Sequence, residues 1–405
     1  MKLRAHFIVA LIYFLLVAVL GFVLRLEATS WGFGIPTDYR HVVHAHSHIG
    51  LLGWVYLGFS SIIVYAFVDK TKLKNHYSKI FWATQICLLG MLISFPLQGY
   101  ALFSIIFSTL FLLVSYVFFG FILKHTQAQL KSKKSFILIK HSLFYMAISS
   151  IGPWALGGIM STLGNTSVWY KLAIYFYLHF QYNAWFVLAA LGVLVFLLEQ
   201  SKLKINDFAF KIFVPLIHIG IISSFFLSCL WANSHWSLFL LSNLGSVALW
   251  IGLYYFWLSI KDAFLVFYSK LKTKSKFLLK FLVFCFLIKL LLQSLSGIPY
   301  FAKIASNNID VVIGYLHWFF LGFVSVFLLF LASYLKWIKL TNFSVIVYLL
   351  AFISTEFFIF YRANSVMLQW PFIDHLNLYL AIGSFLFVLA ISTILIENLK
   401  SKSKV

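Results

Sequence analysis

Long apolar segments recur along the whole chain, and they constrain its fold more than any other feature. Segments of roughly 20 apolar residues have the length at which a helix crosses the core of a bilayer. Of the 405 residues, 62% are hydrophobic and only 10% are charged. No polar stretch long enough for a soluble domain remains between these segments. We therefore predict an all-α integral membrane protein that forms one polytopic domain over residues 1–405.

Hydropathy, read together with the charged and turn-rich breaks, predicts about twelve transmembrane helices. The predicted spans lie near residues 6–26, 43–68, 79–97, 101–124, 140–162, 170–199, 208–231, 236–260, 276–297, 311–335, 341–361 and 374–397. The first span lacks the features of a cleaved signal peptide, so we expect it to be retained.

The lysines are concentrated in alternate connections between the predicted spans. DKTKLKNHYSK, KHTQAQLKSKKS, EQSKLK, KLKTKSK, LKWIK and the tail NLKSKSK are basic, whereas QGY, GNTSVW and ANSHW carry no lysine or arginine. Basic connections face the cytoplasm in most membrane proteins. This rule places both termini in the cytoplasm and favours the bacterial inner membrane as the location.

The net charge of +21 is explained by these loops, which would lie beside anionic lipid. A nucleic-acid partner is therefore not expected. The three cysteines lie singly inside predicted spans, without a Cys-x-x-Cys-His motif. Any haem would accordingly be held without a covalent link to cysteine.

Histidines are concentrated on the outer side of the predicted topology. Those at the outer surface or in the outer half of the membrane are His41, His44, His46, His48, His179, His235, His317 and His375. Ionisable groups inside a membrane are costly and tend to be functional. A one-sided group of histidines therefore predicts a site, whereas the structural alternative for each one is a hydrogen bond between helices.

The stretch HVVHAHSHIGLLGW in the second span presents histidines on two helix faces. At about 100° per residue, His41, His44 and His48 share one face, and His46 points about 200° away from His44. Gly50 and Gly53 follow His46 on its own face and would leave room for a flat macrocycle. We therefore favour His46 as a haem ligand, with His48 as the alternative, and consider His44 with His48 as a metal-binding pair.

Two further spans combine polar groups with a histidine. The sixth span places polar side chains on one face, namely Tyr175, His179, Tyr182 and Asn183, which predicts either a metal site or a hydrogen-bond cluster between helices. In the tenth span, Tyr315 and His317 point in nearly opposite directions, so one helix could serve two pockets.

Four charged residues also need partners. Lys289 and Glu356 lie inside predicted spans, where each needs an ion pair, a water cavity or neutralisation. Arg40 and Arg362 lie at the outer ends of spans and are candidates for binding carboxylates such as haem propionates.

Twelve spans with histidines in the second, sixth and tenth resemble subunit I of the haem-copper oxidase and nitric oxide reductase superfamily. HAHSHIGLLGW is similar to the family's second-helix pattern, and GYLHWFFLG is similar to its tenth-helix pattern, with Gly322 five residues after His317. The resemblance implies a bundle of that type. It also implies a low-spin haem b held by His46 or His48 and by His317, with Arg362 near the propionates.

The resemblance is incomplete at the second, catalytic site. Tyr315 stands where the family binds its high-spin haem, and His179 matches a metal ligand. Asn183 stands where the reductases carry a glutamate. The adjacent histidine pair expected in the seventh span is reduced to His218. Tyr315, His179, Tyr182 and Asn183 remain the catalytic candidates, with a second haem or copper as the second cofactor.

Three functions follow as hypotheses. The first is a haem-b protein that acts in electron transfer or in an accessory or sensory role, with quinol or a cytochrome as the electron donor. The second is an oxidoreductase that reduces oxygen or nitric oxide with a non-standard ligand set. The third is a secondary transporter coupled to protons or metal ions, in which Lys289 and Glu356 take part.

Overall fold

The structure is a computed structural model that describes residues 3–233, 235–365 and 368–400. The described chain is 85% helical and contains no β-strand. Within the described residues, twelve helices are long and apolar enough to cross a membrane, in agreement with the sequence prediction. They are α1 (Leu3–Glu27), α2 (Tyr39–Phe67), α3 (Ser78–Gln98), α4 (Leu102–His125), α5 (Lys134–Thr162), α6 (Val168–Gln200), α7 (Asp207–Cys229), α8 (Trp236–Ser269), α9 (Thr273–Leu295), α10 (Ile309–Tyr334), α11 (Asn342–Ser365) and α12 (Leu376–Lys400).

The observed helices differ from the predicted spans mainly at polar ends. The prediction ended the eighth span at residue 260, but α8 continues to Ser269 through Lys261 and Asp262. A hydropathy reading ends a predicted span before such charged residues. The helix itself continues through them wherever its backbone stays hydrogen-bonded. The end of the basic tail, residues 401–405, lies outside the described residues.

The chain divides into two compact units. One contains α1–α4 together with α10–α12, and the other consists of residues 126–309 with α5–α9. His46 and His317 belong to the first unit, whereas His179, His218 and Lys289 belong to the second.

In the first unit, α2 and α10 are joined by a buried hydrogen bond between side chains. The indole Nε1 of Trp54 donates to Oγ of Ser325 at 2.8 Å, and the Trp54 ring stacks on Phe14 of α1. Each partner lies eight residues after a histidine of its own helix, Trp54 after His46 and Ser325 after His317. The hydrogen bond therefore helps to set the register that brings these two histidines to the same level.

In the second unit, small residues allow α7 and α8 to pack closely. A Cβ atom added to Gly245 would lie only 2.4 Å from the backbone nitrogen of Ser224, and one added to Gly220 would lie 2.7 Å from Leu249. Packing of this kind is typical of helices in membranes, where no hydrophobic force drives the helices together.

The three helices that carry the candidate histidines each change to π-helical hydrogen bonding. The π-helical segments are Ile49–Tyr56 in α2, Phe180–Trp185 in α6 and Trp318–Ser325 in α10, and each begins immediately or shortly after a candidate histidine. Such segments are rare and occur frequently at functional sites. They also change the direction of side chains beyond the histidine relative to a regular α-helix.

We expect Trp54→Phe to destabilise the first unit, because the substitution keeps the stacked ring but leaves the Ser325 hydroxyl without its indole donor. Hydrogen bonds between membrane helices contribute about 1 kcal/mol. The midpoint of thermal unfolding in detergent should fall. The matched control is Trp82→Phe, because Trp82 is 63% exposed and its substitution should leave the midpoint unchanged; equal effects of the two substitutions would contradict the prediction.

Candidate functional site

His46 of α2 and His317 of α10 lie together in the first unit. Their ring centres are 6.4 Å apart and the ring planes are almost perpendicular, at 88°. Two imidazoles that share one iron through bonds of about 2 Å have ring centres about 6–6.5 Å apart, because each nitrogen lies about 1.1 Å from its ring centre. The separation of the two rings therefore suits coordination of a single metal ion between them.

The free nitrogen atoms of the pair also suit coordination. Nδ1 of His46 lies 3.0 Å from the carbonyl oxygen of Val17 and donates to it, which leaves Nε2 as the nitrogen with a lone pair available for a metal ion. A hydrogen bond to a backbone carbonyl is the usual way in which proteins orient a metal-binding histidine. His317 makes no hydrogen bond to the described residues, and both histidines are half-buried residues.

One face of α1 shapes this site. Tyr13, Val17, Gly21 and Arg25 recur every four residues and lie along α2. A Cβ atom on Gly21 would lie 2.9 Å from Cε1 of His46, so only glycine leaves room for the ring in its present position.

The glycines that follow His46 have a different role from the one predicted. Gly53 packs against the ring of Tyr13 and Gly50 against the side chain of Val17. The small residues on this face of α2 therefore make room for helix α1, and the expectation that they face a macrocycle is corrected. The hydropathy pattern does not show whether another helix or a cofactor packs against the face of α2 that carries these glycines.

Arg25, which sequence reasoning missed, is a cation that acts on both histidines of the pair. It lies within electrostatic range of both His46 and His317, as well as of Glu356. Its guanidinium makes no hydrogen bond to the described residues. Glu356 is only 3% exposed, and neither carboxylate oxygen has a hydrogen-bond partner in the described chain. The positive charge of Arg25 therefore offsets part of the cost of burying this carboxyl group.

The two predicted arginines have other surroundings. Arg362 forms a bidentate pair with Asp310, from Nε to Oδ2 at 2.8 Å and from Nη2 to Oδ1 at 2.6 Å, and also donates to Asn377. Arg362 thus binds a carboxylate of the protein itself, and its contact with a propionate stays a prediction. Arg40 is exposed, and its backbone N–H donates a hydrogen bond to Oδ1 of Asp38.

The remaining histidines of α2 form a separate cluster with the end of α3. Nδ1 of His48 lies 2.9 Å from the carbonyl oxygen of His44, and its Nε2 lies 3.2 Å from the hydroxyl of Tyr100. The His44 ring packs edge-on against Tyr100, and His41 packs over Gly99. Both nitrogens of His48 are engaged, so His46 rather than His48 faces His317.

In the second unit, the predicted polar patch of α6 forms a buried hydrogen-bond network. Nε2 of His179 donates to the carbonyl oxygen of Ile221 at 2.8 Å, and its Nδ1 accepts from Asn183 at 3.0 Å. Oδ1 of Asn183 in turn accepts from the ammonium of Lys289, which is 1% exposed. Lys289 also donates to Gln293 at 2.6 Å, and its ammonium lies 5.9 Å from the ring centre of Tyr182.

This network determines what His179 is able to do. Both of its ring nitrogens are engaged by protein groups, as expected of a hydrogen-bond cluster between helices. His218 is also engaged on both nitrogens, by Tyr145 and His141. Tyr315 is half-buried on α10 and belongs to the first unit. Across the three described ranges, no group of three or more His, Cys, Asp or Glu side chains could hold a metal ion.

Sequence reasoning missed several residues of these sites for one reason. Val17, Gly21, Arg25 and Asp310 lie far along the chain from the histidines and arginines they serve. The four-residue spacing that ends on Arg25 was the available signal, since an arginine on the packed face of a span needs a partner.

No protein-family model matches the sequence, and no curated protein matches it either. The function therefore has to be argued from the residues of the site.

We expect Asn183→Leu to destabilise the second unit more than Lys289→Met does. The first substitution removes an acceptor from a buried ammonium, at a cost of about 1–3 kcal/mol, whereas the second removes the charge together with its need for partners. The double variant should consequently be more stable than Asn183→Leu alone. Thermal unfolding of the three variants in detergent tests this, and strictly additive losses of stability would show that the two side chains do not interact.

Proposed function

We propose that the protein binds one haem b between His46 and His317 and acts in electron transfer or as an accessory member of a haem-copper oxidase type of assembly. The observation that carries the proposal is the separation of 6.4 Å between two nearly perpendicular imidazole rings whose outward nitrogens have no partner in the described chain. Haem with two histidine ligands exchanges single electrons while both axial positions stay filled.

The surroundings of the pair support haem rather than a small cation. A bare divalent ion held by the protein usually needs three or four ligands, and among the described residues only two imidazoles meet here. A porphyrin supplies four further nitrogens from its own ring. Arg25 provides the cation that a propionate of such a haem needs, because its guanidinium donates no hydrogen bond to the described residues.

We infer that the second, catalytic site of the family is not retained as a metal site. His179 is bound to Ile221 and Asn183, and Asn183 is bound to Lys289. Reduction of oxygen or nitric oxide requires an open metal position next to further ligands. The engaged nitrogens of His179 favour electron transfer over such a reaction.

The main test is an absorption spectrum of the purified protein, reduced minus oxidised, with and without carbon monoxide. We expect a Soret band and α-band that sharpen on reduction and do not respond to the gas, since both axial positions are filled. His46→Ala and His317→Ala should each abolish the low-spin spectrum.

The matched control is His48→Ala, which removes a neighbouring imidazole that binds Tyr100 instead. Its spectrum should match that of the unaltered protein. Protein without haem or iron would overturn the proposal, and haem uptake unaffected by His46→Ala and His317→Ala would do the same. A shift on addition of carbon monoxide would indicate an open haem and favour the oxidase or reductase hypothesis.

We also propose that the protein lies in the bacterial inner membrane with both termini in the cytoplasm, as the alternation of basic connections predicts. Fusion of alkaline phosphatase, which is active only outside the cytoplasm, should give no activity after Lys204 in the α6–α7 connection. The same fusion after Asn165, in the α5–α6 connection, should be active. Activity in the reverse pattern would contradict the orientation.

A further inference from the structure

A pocket of about 430 Å³ lies between α5, α6 and α7 in the second unit. Its polar lining consists of His141, Tyr145 and His218, and its apolar lining includes Phe144, Phe180 and Ile222. Ligand pockets of this size, mostly apolar with a few polar groups, suit small ring-containing molecules. None of these residues belongs to the His46–His317 pair.

The pocket is open on the side where Phe144 of α5 and Ile222 of α7 are exposed. Phe144 is 55% exposed and Ile222 is 53% exposed, and both lie within the span-length helices α5 and α7. Exposed apolar side chains at this depth face lipid, so a ligand would enter from the bilayer.

The flat walls of the pocket come from stacked rings. The rings of Tyr145 and Phe180 are nearly parallel, with centres 5.7 Å apart and planes 8° apart. The ring of His218 stacks on Tyr145 with centres 5.5 Å apart. Such a wall suits a planar ring more than the flexible chain of a lipid tail.

A chain of hydrogen bonds runs through the polar lining. The hydroxyl of Tyr145 lies 2.8 Å from Nδ1 of His218, and Nε2 of His218 lies 3.0 Å from Nδ1 of His141. Two nitrogens at this distance share a proton, so no metal ion lies between the imidazoles. Nε2 of His141 makes no hydrogen bond to the described residues.

The hydrogen bonds that link Tyr145, His218 and His141 can all run in either of two directions. If the Tyr145 hydroxyl donates, each neutral imidazole accepts at one nitrogen and donates at the other, so Nε2 of His141 carries a proton. If His218 donates to Tyr145 instead, every bond is reversed and Nε2 of His141 is an acceptor. Nε2 of His141, the last nitrogen in this series of hydrogen bonds, can therefore donate or accept without any group becoming charged.

We propose that this pocket binds the headgroup of a membrane quinone, with Nε2 of His141 hydrogen-bonded to a ring oxygen. A quinone oxygen accepts a hydrogen bond and a quinol hydroxyl donates one, and the two directions of the chain match these two forms. The planar headgroup lies along the stacked rings and its tail leaves between Phe144 and Ile222. The inference does not rest on haem binding and is tested separately from it.

The test measures binding of decylubiquinone to the full chain in lipid nanodiscs, with infrared spectra of the quinone labelled with ¹³C at its carbonyl groups. The unaltered protein should bind the quinone saturably and lower the frequency of one carbonyl stretch. His141→Leu should weaken binding about tenfold, the effect of one lost hydrogen bond in a buried site, and should remove the frequency shift. Ile222→Trp fills the pocket from its exposed wall, leaves the polar chain intact and should also weaken binding.

His125→Leu is the control, because His125 is a histidine of α4 that does not line the pocket. Its binding constant should equal that of the unaltered protein. Thermal unfolding checks that each variant is folded, and the exposed position of Ile222 keeps the test available if His141→Leu fails to fold. Unchanged binding in both pocket variants would overturn the proposal, as would equal competition by decanol, which has a comparable tail but no quinone ring.

Discussion

The bilayer core offers no hydrogen-bond partners, so each polar side chain inside it has to be paired by the protein. This constraint explains most of the buried polar groups of the chain. His48 binds the His44 carbonyl and Tyr100, His179 binds Ile221 and Asn183, and Lys289 binds two amide oxygens. Several polar groups of the described chain are exceptions, among them the carboxyl group of Glu356. Three of them lie together, namely Nε2 of His46, the ring of His317 and the guanidinium of Arg25, none of which has a hydrogen bond in the described chain.

The placement of these groups depends on packing as much as on their own chemistry. The face of α1 that carries Val17 and Gly21 orients the His46 ring by one hydrogen bond and one missing side chain. The bond between Trp54 and Ser325 then sets the level of α10 against α2. Trp54 and Ser325, each eight residues after a histidine of its own helix, thus help to set how the two imidazoles face each other.

How much could be predicted differs between the fold and the site. Hydropathy predicted all twelve spans, because the length of an apolar segment reflects the thickness of the bilayer directly. The periodicity separated His46 from His48 correctly, since a regular helix precedes the π-helical segment. The partners were beyond reach: Lys289 lies 106 residues from Asn183, and Asp310 lies 52 residues from Arg362. Side-chain periodicity describes one helix, whereas these contacts depend on which helices become neighbours.

The network around His179 depends on the amide of Asn183, which has two different partners. As an amide, Asn183 donates to His179 and accepts from Lys289 at the same time, which a carboxylate cannot do. A glutamate at this position would pair with the ammonium and leave Nδ1 of His179 without its donor. His179, Asn183 and Lys289 therefore depend on one another, and Asn183→Glu would strengthen the bond to Lys289 while it removes the donor to His179.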